Sequence, residues 1–473
     1  MMYYAQFDTD RLISEFFGHD FKGVCVDVGS AQPIYGNNTY HFETKGWKVY
    51  CIEPNKRLYE RLTPIRENVF NFACGSKDED NVDFTICTLQ DGNQEAISSL
   101  ELDNRLVESH LPYNPRFETT KVKLRTLNSF FEEQGIEKID FISIDIEGTE
   151  IDVLVGLDLK KYNPSLLVIE NNFENYLIDN YLLNFGYKKF NRSGVNDFYK
   201  YDSTIPVEVF PTMKYVSGGH FGDLIHQLYV VKNIYEKTKL KGKIYLTNKR
   251  GELDGLFYKS IQEVSDEIKK VFTNQEYIES VEPYLEDIEN IINISSWRYS
   301  DIIYKKCWTE MLTEIYELTP PKGLPWLKYE EKDSRFEGKV VIHESFVWYR
   351  KFDNFPWQEI IKNNDCIFVS FEETQYNEFK HKDSVELYLM KDFEECCKIL
   401  NSCKFYVGNL TSVTAVAHAL GVPKLVELVT EGFRDCMHYL DEKKYSKDFY
   451  YISENENIIS TDGMEIFIEW RVA

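Results

Sequence analysis

Short apolar runs alternate with amphipathic stretches over two separate spans of the chain. In the first, residues 22–202, "GVCVDVG" (23–29), "KVYCIEP" (48–54), "IDFISID" (139–145) and "PSLLVIE" (164–170) are β-rich, the last two continuously apolar. Unbroken apolar runs of that length are the pattern of strands buried on both faces. "NVDFTIC" (81–87) and "ETTKVKLRTL" (118–127) are further strand candidates. "TEIDVLVGL" (149–157) and "ENYLIDNYLLNFG" (174–186) have helical spacing, and Gly186 closes the second. Strands alternating with helices predict an α/β fold with a mostly parallel sheet covered on both faces. "YDSTIPVEVFPT" (201–212), with two prolines and no period, marks a boundary.

Alternation restarts with "MKYVSGG" (213–219), a helix through "LIHQLYVVKNIYEKT" (224–238) and the strand "GKIYLTN" (242–248). Residues 251–335 read as acidic, helical and poor in strands. A further strand–helix series runs through "GKVVIHES" (338–345), "CIFVSF" (366–371), "KFYVGN" (404–409) and "PKLVEL" (423–428). The expected layout is a Rossmann-like domain over 1–203, then two Rossmann-like half-domains over 212–335 and 336–473. A length of 473 residues fits several cores better than one.

The formal charge of −24 excludes nucleic acid as an expected partner, since that needs a basic face. No apolar run reaches eighteen residues, so no transmembrane segment is predicted. The N-terminus lacks a basic stretch followed by an apolar one, and a cytoplasmic protein is expected. The ten cysteines form no CxxC pair, and Cys25 and Cys51 fall inside apolar runs, so reduced thiols and no cysteine-held metal are expected.

The stretch 26–55, "VDVGSAQPIYGNNTYHFETKGWKVYCIEPN", carries the most chemistry. A strand ends at Asp27, turns through Gly29, and a second strand ends at Glu53. In such sheets ligands bind outside the carboxyl ends of the strands, and an acid after the second strand takes ribose hydroxyls. "GSAQPIYG" does not supply GxGxxG, so a nucleoside without a pyrophosphate, such as S-adenosylmethionine, fits better than NAD. Asp145 and Glu147, in "SIDIEGTE" (143–150), belong to the same edge and are candidates for the site. Two plainer roles stay open: Glu147 caps the helix starting near Thr149, and Asp145 orients it. His41 and His110 are alternative bases. The carboxylates also suit Mg²⁺, although the sequence does not demand it.

"YYAQFDTDRLISEFF", "VDVGS", "NNTYHFETKGWKVYCIEPN" and "KIDFISIDIEGTEIDVLVGLD" together resemble the FkbM family of S-adenosylmethionine-dependent methyltransferases, from residue 3 to about 200. The resemblance implies a class I methyltransferase domain acting on hydroxyls of sugars or polyketides. It implies that Asp27, Gly29 and Ser30 form the methionine-side loop, Glu53 holds the ribose, and Ala73 and Cys74 flank the adenine.

Two later segments, "SGGHFGDLIHQL" (217–228) and "GNLTSVTAVAHALGVP" (408–423), resemble the heptosyltransferase-like glycosyltransferases of the GT-B fold. That likeness implies a nucleotide-sugar co-substrate, a glycan acceptor and Asp223 as the base of an inverting transfer. It places Gly219, Thr411, Ser412 and Thr414 near the donor phosphates. Arg350 and Lys351, by position alone, are candidates to neutralise the leaving diphosphate. The sequence departs from the family at 410–415, where the family's histidine is missing. The rival expectation is therefore a methyltransferase whose C-terminal module binds glycan without catalysis. His226 and His418 are expected to be structural.

Overall fold

The computed structural model describes residues 2–94, 97–248, 260–303, 305–318, 325–346, 351, 353–429 and 449–453. The chain divides into two compact units, Met1–Pro211 and Thr212–Ala473. No helix among the described residues is long and apolar enough to cross a membrane.

The first unit contains β1 (Val24–Val28), β2 (Lys48–Ile52), β3 (Val69–Phe70), β4 (Ala73–Cys74), β5 (Glu79–Thr88), β6 (Arg116–Arg125), β7 (Phe141–Ile144), β8 (Leu166–Glu170), β9 (Tyr187–Ser193) and β10 (Asn196–Tyr201). Seven of these form one sheet in the order β3-β2-β1-β7-β8-β10-β9. Its pairings are parallel from β3 to β8, while β10 runs antiparallel to both β8 and β9. Every residue of β7 and β8 is buried, which their unbroken apolar sequences require of strands covered on both faces. On one face Phe141 packs against Phe42 and Trp47, with ring centroids 5.0 and 5.5 Å apart. Cys25, Cys51, Leu166 and Val168 complete that cluster.

The register levels the strand ends. Asp27 lies opposite Cys51 on β2 and Ser143 on β7, so the loops after β1, β2 and β7 leave at one edge. Strand order also reverses at β1, between β2 and β7, and such a reversal opens a crevice at the carboxyl edge.

The strand candidates at 81–87 and 118–127 are real but lie outside the parallel sheet. They belong to β5 and β6, which pair antiparallel in a separate three-stranded sheet with β4. Their alternation of polar and apolar residues suits a sheet with one wet face, and much of both strands is exposed.

The second unit holds two all-parallel sheets. One has the order β13-β12-β11-β14, from β11 (Met213–Ser217), β12 (Gly242–Leu246), β13 (Ile278–Pro283) and β14 (Ile292–Asn293). The other has the order β17-β16-β15-β18-β19-β20, from β15 (Val340–His343), β16 (Cys366–Ser370), β17 (Glu386–Leu389), β18 (Phe405–Asn409), β19 (Lys424–Leu428) and β20 (Phe449–Ser453). The stretch 251–335 therefore supplies two strands to the first sheet, where the sequence pattern pointed mainly to helices. In β13, Ile278 and Val281 are buried while Glu279 and Glu282 face out, so the acids mask a short strand. The helix Ile261–Phe272 starts at a Ser260–Glu263 capping box and buries Val264, Ile268, Val271 and Phe272.

Within this unit the helix Phe221–Thr238 packs against Ser412–Ala419. His226 stacks on Trp308 with centroids 4.4 Å apart, and His418 meets the edge of Trp326 at 4.9 Å. Trp326 Nε1 donates to the carbonyl of Ile225 (2.8 Å), and Leu327 N donates to that of Ala419 (3.0 Å), so this segment links the two helices.

Candidate functional site

At the carboxyl edge of the first sheet lies a cavity of about 620 Å³. Asp27, Gly29 and Ser30 from the loop after β1 line it, together with Glu53, which follows β2. Ala73 and Cys74 of β4 and Asp145 and Glu147 after β7 line it too, so these eight residues reach one space, while His41 is not part of its lining. Its volume lies in the usual range for small-molecule sites, about 300–1,000 Å³.

Backbone geometry builds this convergence. Gly29 has φ +85°, and a Cβ there would fall on the carbonyl oxygen of Asp145. The loop after β1 thus touches the end of β7 as only a glycine permits. Asp27 is buried; its Oδ2 accepts from Asn37 Nδ2 and from Thr39 Oγ1, each at 2.8 Å. Arg66 supports both partners from behind, donating to Asn37 Oδ1 (3.1 Å) and Thr39 Oγ1 (2.9 Å). Ser30 Oγ donates to the carbonyl of Asp27 at 2.9 Å. Glu53 is fixed at both oxygens: Oε2 accepts from Ala31 N (3.0 Å) and Oε1 from Asn55 N (2.7 Å). Burial pushes the Cys74 thiol well up, so it serves as apolar lining rather than as a nucleophile.

The turn after β7 is unusual. Glu147 has φ +63° and Gly148 φ +125°, a left-handed bend that side chains rarely adopt and that sends the chain back past the cavity. The following helix begins at Glu150 with Thr149 as its N-cap, and Thr149 makes no side-chain cap bond. Glu150 Oε1 itself accepts from Gly148 N at 2.8 Å. Glu170, the last residue of β8, also lines the cavity and is only 9% exposed. One carboxylate oxygen from each of Asp145, Glu147 and Glu170 lies within 4.8 Å of the others.

Burial raises all of these acids. It pushes Asp145 up to about 6, aided by the charge of Asp27. It pushes Glu147 up to about 8, with further upward pressure from Asp145 and Glu150. Glu150 rises to about 7 for the same principal reason, and Glu170 rises well above the usual carboxylate range. Desolvation and like charge both disfavour the ionised forms.

Glu150 and Glu170 were missed in reading the sequence, although Glu170 carries the strand-end signal that singled out Glu53 and Asp145. His110 lines the cavity as well, with Nδ1 2.9 Å from the carbonyl of Leu106. A carbonyl only accepts, so that nitrogen carries the proton and the neutral ring keeps its lone pair on Nε2. His41 is buried with its Nδ1 2.8 Å from the carbonyl of Met2.

In the second unit, Gly219 has φ +113° and sits against the Arg298 guanidinium, which also pairs with Asp223 Oδ2. Asp223 Oδ2 further accepts from His220 N (2.9 Å), closing a capping box at the start of the helix Phe221–Thr238. The two helix starts adjoin at Gly222, where a Cβ would lie 3.4 Å from Ser412 Cα, an ordinary contact distance. Thr411 caps the helix Ser412–Ala419, its Oγ1 accepting from Thr414 N at 3.3 Å. Thr414 is buried, and its hydroxyl is shared with Tyr406 OH at 2.8 Å. Lys351 points to the buried Glu344, 3.5 Å away. Arg350 lies outside the described residues. Gly219, Asp223, Thr411 and Ser412 thus belong to two helix starts brought side by side, an arrangement hospitable to anions.

The sheet order and carboxyl-edge cavity define a Rossmann-like α/β domain in the first unit. Residues 27–189 match the family model described as the methyltransferase FkbM domain, and the N-terminal half carries that domain. AMB antimetabolite synthetase AmbE of Pseudomonas aeruginosa is 37% identical over 70 residues, a match covering 15% of this chain and 3% of that protein. The chain therefore aligns with only a small part of that relative. Among solved structures, E. coli heptosyltransferase WaaC with ADP shares 10% identity, with 51% of this chain and 93% of that chain covered and a TM-score of 0.36. The iron-containing dodecameric glycosyltransferase TibC from enterotoxigenic E. coli H10407 shares 12% identity, with coverage of 46% and 57% and a TM-score of 0.35. Scores this low leave the chemistry of the second unit to be argued from its own residues.

The raised acids predict a pH dependence with a definite sign. A carboxyl whose folded pKa exceeds its unfolded value, about 4, stabilises the fold at low pH and loses that contribution as pH rises through the folded pKa. In chelator-containing buffer, the melting temperature of the first unit should fall between pH 5 and pH 8, where Asp145, Glu150 and Glu147 would ionise at about 6, 7 and 8. Glu147→Gln should flatten that fall; a profile unchanged by the substitution would contradict the assignment.

Proposed function

We propose that the first unit transfers a methyl group from S-adenosylmethionine to a hydroxyl of a sugar-containing acceptor, in the cytoplasm. The observation that carries this reading is the single cavity shared by the Asp27–Ser30 loop, Glu53, Ala73–Cys74 and the Asp145–Glu147 turn, inside a methyltransferase FkbM domain. Glu53, oriented by the amides of Ala31 and Asn55 and lining the cavity, would accept from ribose hydroxyls. The acid-rich edge favours the sulfonium cation of the donor. As the new O–CH₃ bond forms, the S–CH₃ bond breaks, its electron pair returns to sulfur, and the hydroxyl proton passes to a base. Asp145, Glu147 and His110 Nε2 are the acceptors at the cavity; positioning donor and hydroxyl in line supplies the rest.

For the second unit the reading is an inverting, nucleotide-sugar-dependent glycosyltransferase working on the same glycan. Its support is the pair of adjoining helix starts, which would hold the diphosphate, and Asp223, placed at one of them to take the acceptor proton. Tethering both activities raises the effective concentration of a glycan that visits each site.

Calorimetry on the full chain tests the first reading. S-adenosylhomocysteine should bind at one site per chain, and Glu53→Gln should weaken it about tenfold, the scale of one charge-assisted hydrogen bond. No binding by the folded wild type would overturn it. For the second unit, one of UDP, GDP, CMP, dTDP or ADP should raise the melting temperature saturably. Asp223→Ala should keep that shift while lowering sugar transfer by about 10²-fold or more. If none of the nucleotides stabilises the protein, a non-catalytic glycan-binding module replaces the transferase reading.

A further inference from the structure

The carboxylates at the end of β7 and β8 do more than line a cavity. Asp145, Glu147 and Glu170 each offer one oxygen, and the three lie within 4.8 Å of one another. Two oxygens on one cation can lie apart by at most twice the metal–oxygen distance, ~4 Å for Mg²⁺ and ~5 Å for Ca²⁺. The spacing is thus that of ligands around a hard divalent ion, closing slightly for the smaller ones.

Two separate atoms point to a missing partner. Glu170 Oε2 is buried and makes no hydrogen bond, although its residue is 9% exposed and lines the cavity. Thr149 Oγ1, on a residue 2% exposed that lines the same cavity, is likewise buried without a partner. Groups of this kind are ordinarily satisfied, because leaving one bare costs about 1–3 kcal/mol. Asp145 and Glu170 also share a side-chain hydrogen bond, so acid faces acid at this edge.

We propose that Asp145, Glu147 and Glu170 form a binding site for one oxygen-preferring divalent cation, with Thr149 beside it. The absence of His and Cys from the set selects Mg²⁺, Mn²⁺ or Ca²⁺ over zinc or copper. Three protein oxygens leave coordination positions open toward the cavity. A sugar presenting two neighbouring hydroxyls fills two of them, which makes a vicinal diol the acceptor class; this assignment of acceptor rests on the methyl-transfer reading, and the cation site does not. Coordination lowers the pKa of the bound hydroxyl. Its proton then leaves to His110 Nε2 or to solvent as oxygen takes the methyl group and sulfur regains its electron pair.

The test uses the full chain, stripped with EDTA and dialysed, titrated with Mn²⁺ while the free ion is followed by electron paramagnetic resonance. One saturable Mn²⁺ site per chain is expected, competed by Mg²⁺ or Ca²⁺. Glu170→Gln and Glu147→Gln should each weaken it about tenfold or more. Both variants remove charge from a crowded edge, and an unchanged circular dichroism spectrum with cooperative melting certifies their fold. Absence of saturable binding by the wild type, or wild-type affinity in both variants, overturns the cation site. Mn²⁺ binding in a protein that ignores S-adenosylhomocysteine would keep the cation site and sink the methyl-transfer reading instead.

Discussion

The contact between Gly29 and the backbone of Asp145 organises the first unit. Strand order reverses between β1 and its neighbours, so the loops after β1 and β7 diverge to opposite sides of the sheet unless something holds them together. With φ +85° and no room for a Cβ against the Asp145 carbonyl, Gly29 lets the two loops touch. Asp27, Glu53, Asp145 and Glu170 then stand around one cavity because their strands end level with one another. The chemistry of the edge follows from that placement. Asp145, Glu147, Glu150 and Glu170 are crowded and desolvated, and burial raises each of them, which favours a proton or a bound cation there.

The second unit solves a related problem by different means. Its two parallel sheets are joined through the start of Phe221–Thr238 and the helix Ser412–Ala419, which adjoin at Gly222 and Ser412. His226, His418, Trp308 and Trp326 fill the space behind that contact. The polar ends of both helices are left together at one side, and the aromatic cluster fixes their separation.

Much of this was legible in the sequence where one residue type meets one physical demand. β7 and β8 announced themselves through apolar runs that a doubly covered strand needs, and β1 and β2 through shorter β-rich runs. Asp27, Glu53 and Asp145 stood out as acids at the ends of those runs, and Gly29 as the turn residue after the first. What the sequence hid has physical reasons. β13 is short and carries Glu279 and Glu282 on its wet side, so its two core contacts leave no periodic trace. β5 and β6 look like members of the main sheet, yet pairing partners are set by tertiary packing that local pattern does not encode. Glu150 was hidden by its place in the first helical turn, where an acid is ordinary, and only the folded chain turns it back to accept from Gly148. Glu170 ends a strand like the others; the pairing of Ile144 with Ile169 sets it beside Asp145, and the bend at Glu147 and Gly148 adds the third acid.

The central claim is that the carboxyl edge of the first sheet is a nucleoside donor site. A crystal structure of the full chain grown with S-adenosylhomocysteine tests it most directly. The account predicts the nucleoside inside the cavity, its ribose hydroxyls within hydrogen-bonding distance of Glu53, its adenine against Ala73 and Cys74, and its sulfur facing Asp145. A nucleoside bound elsewhere, or a cavity holding only water at saturating ligand, would contradict it.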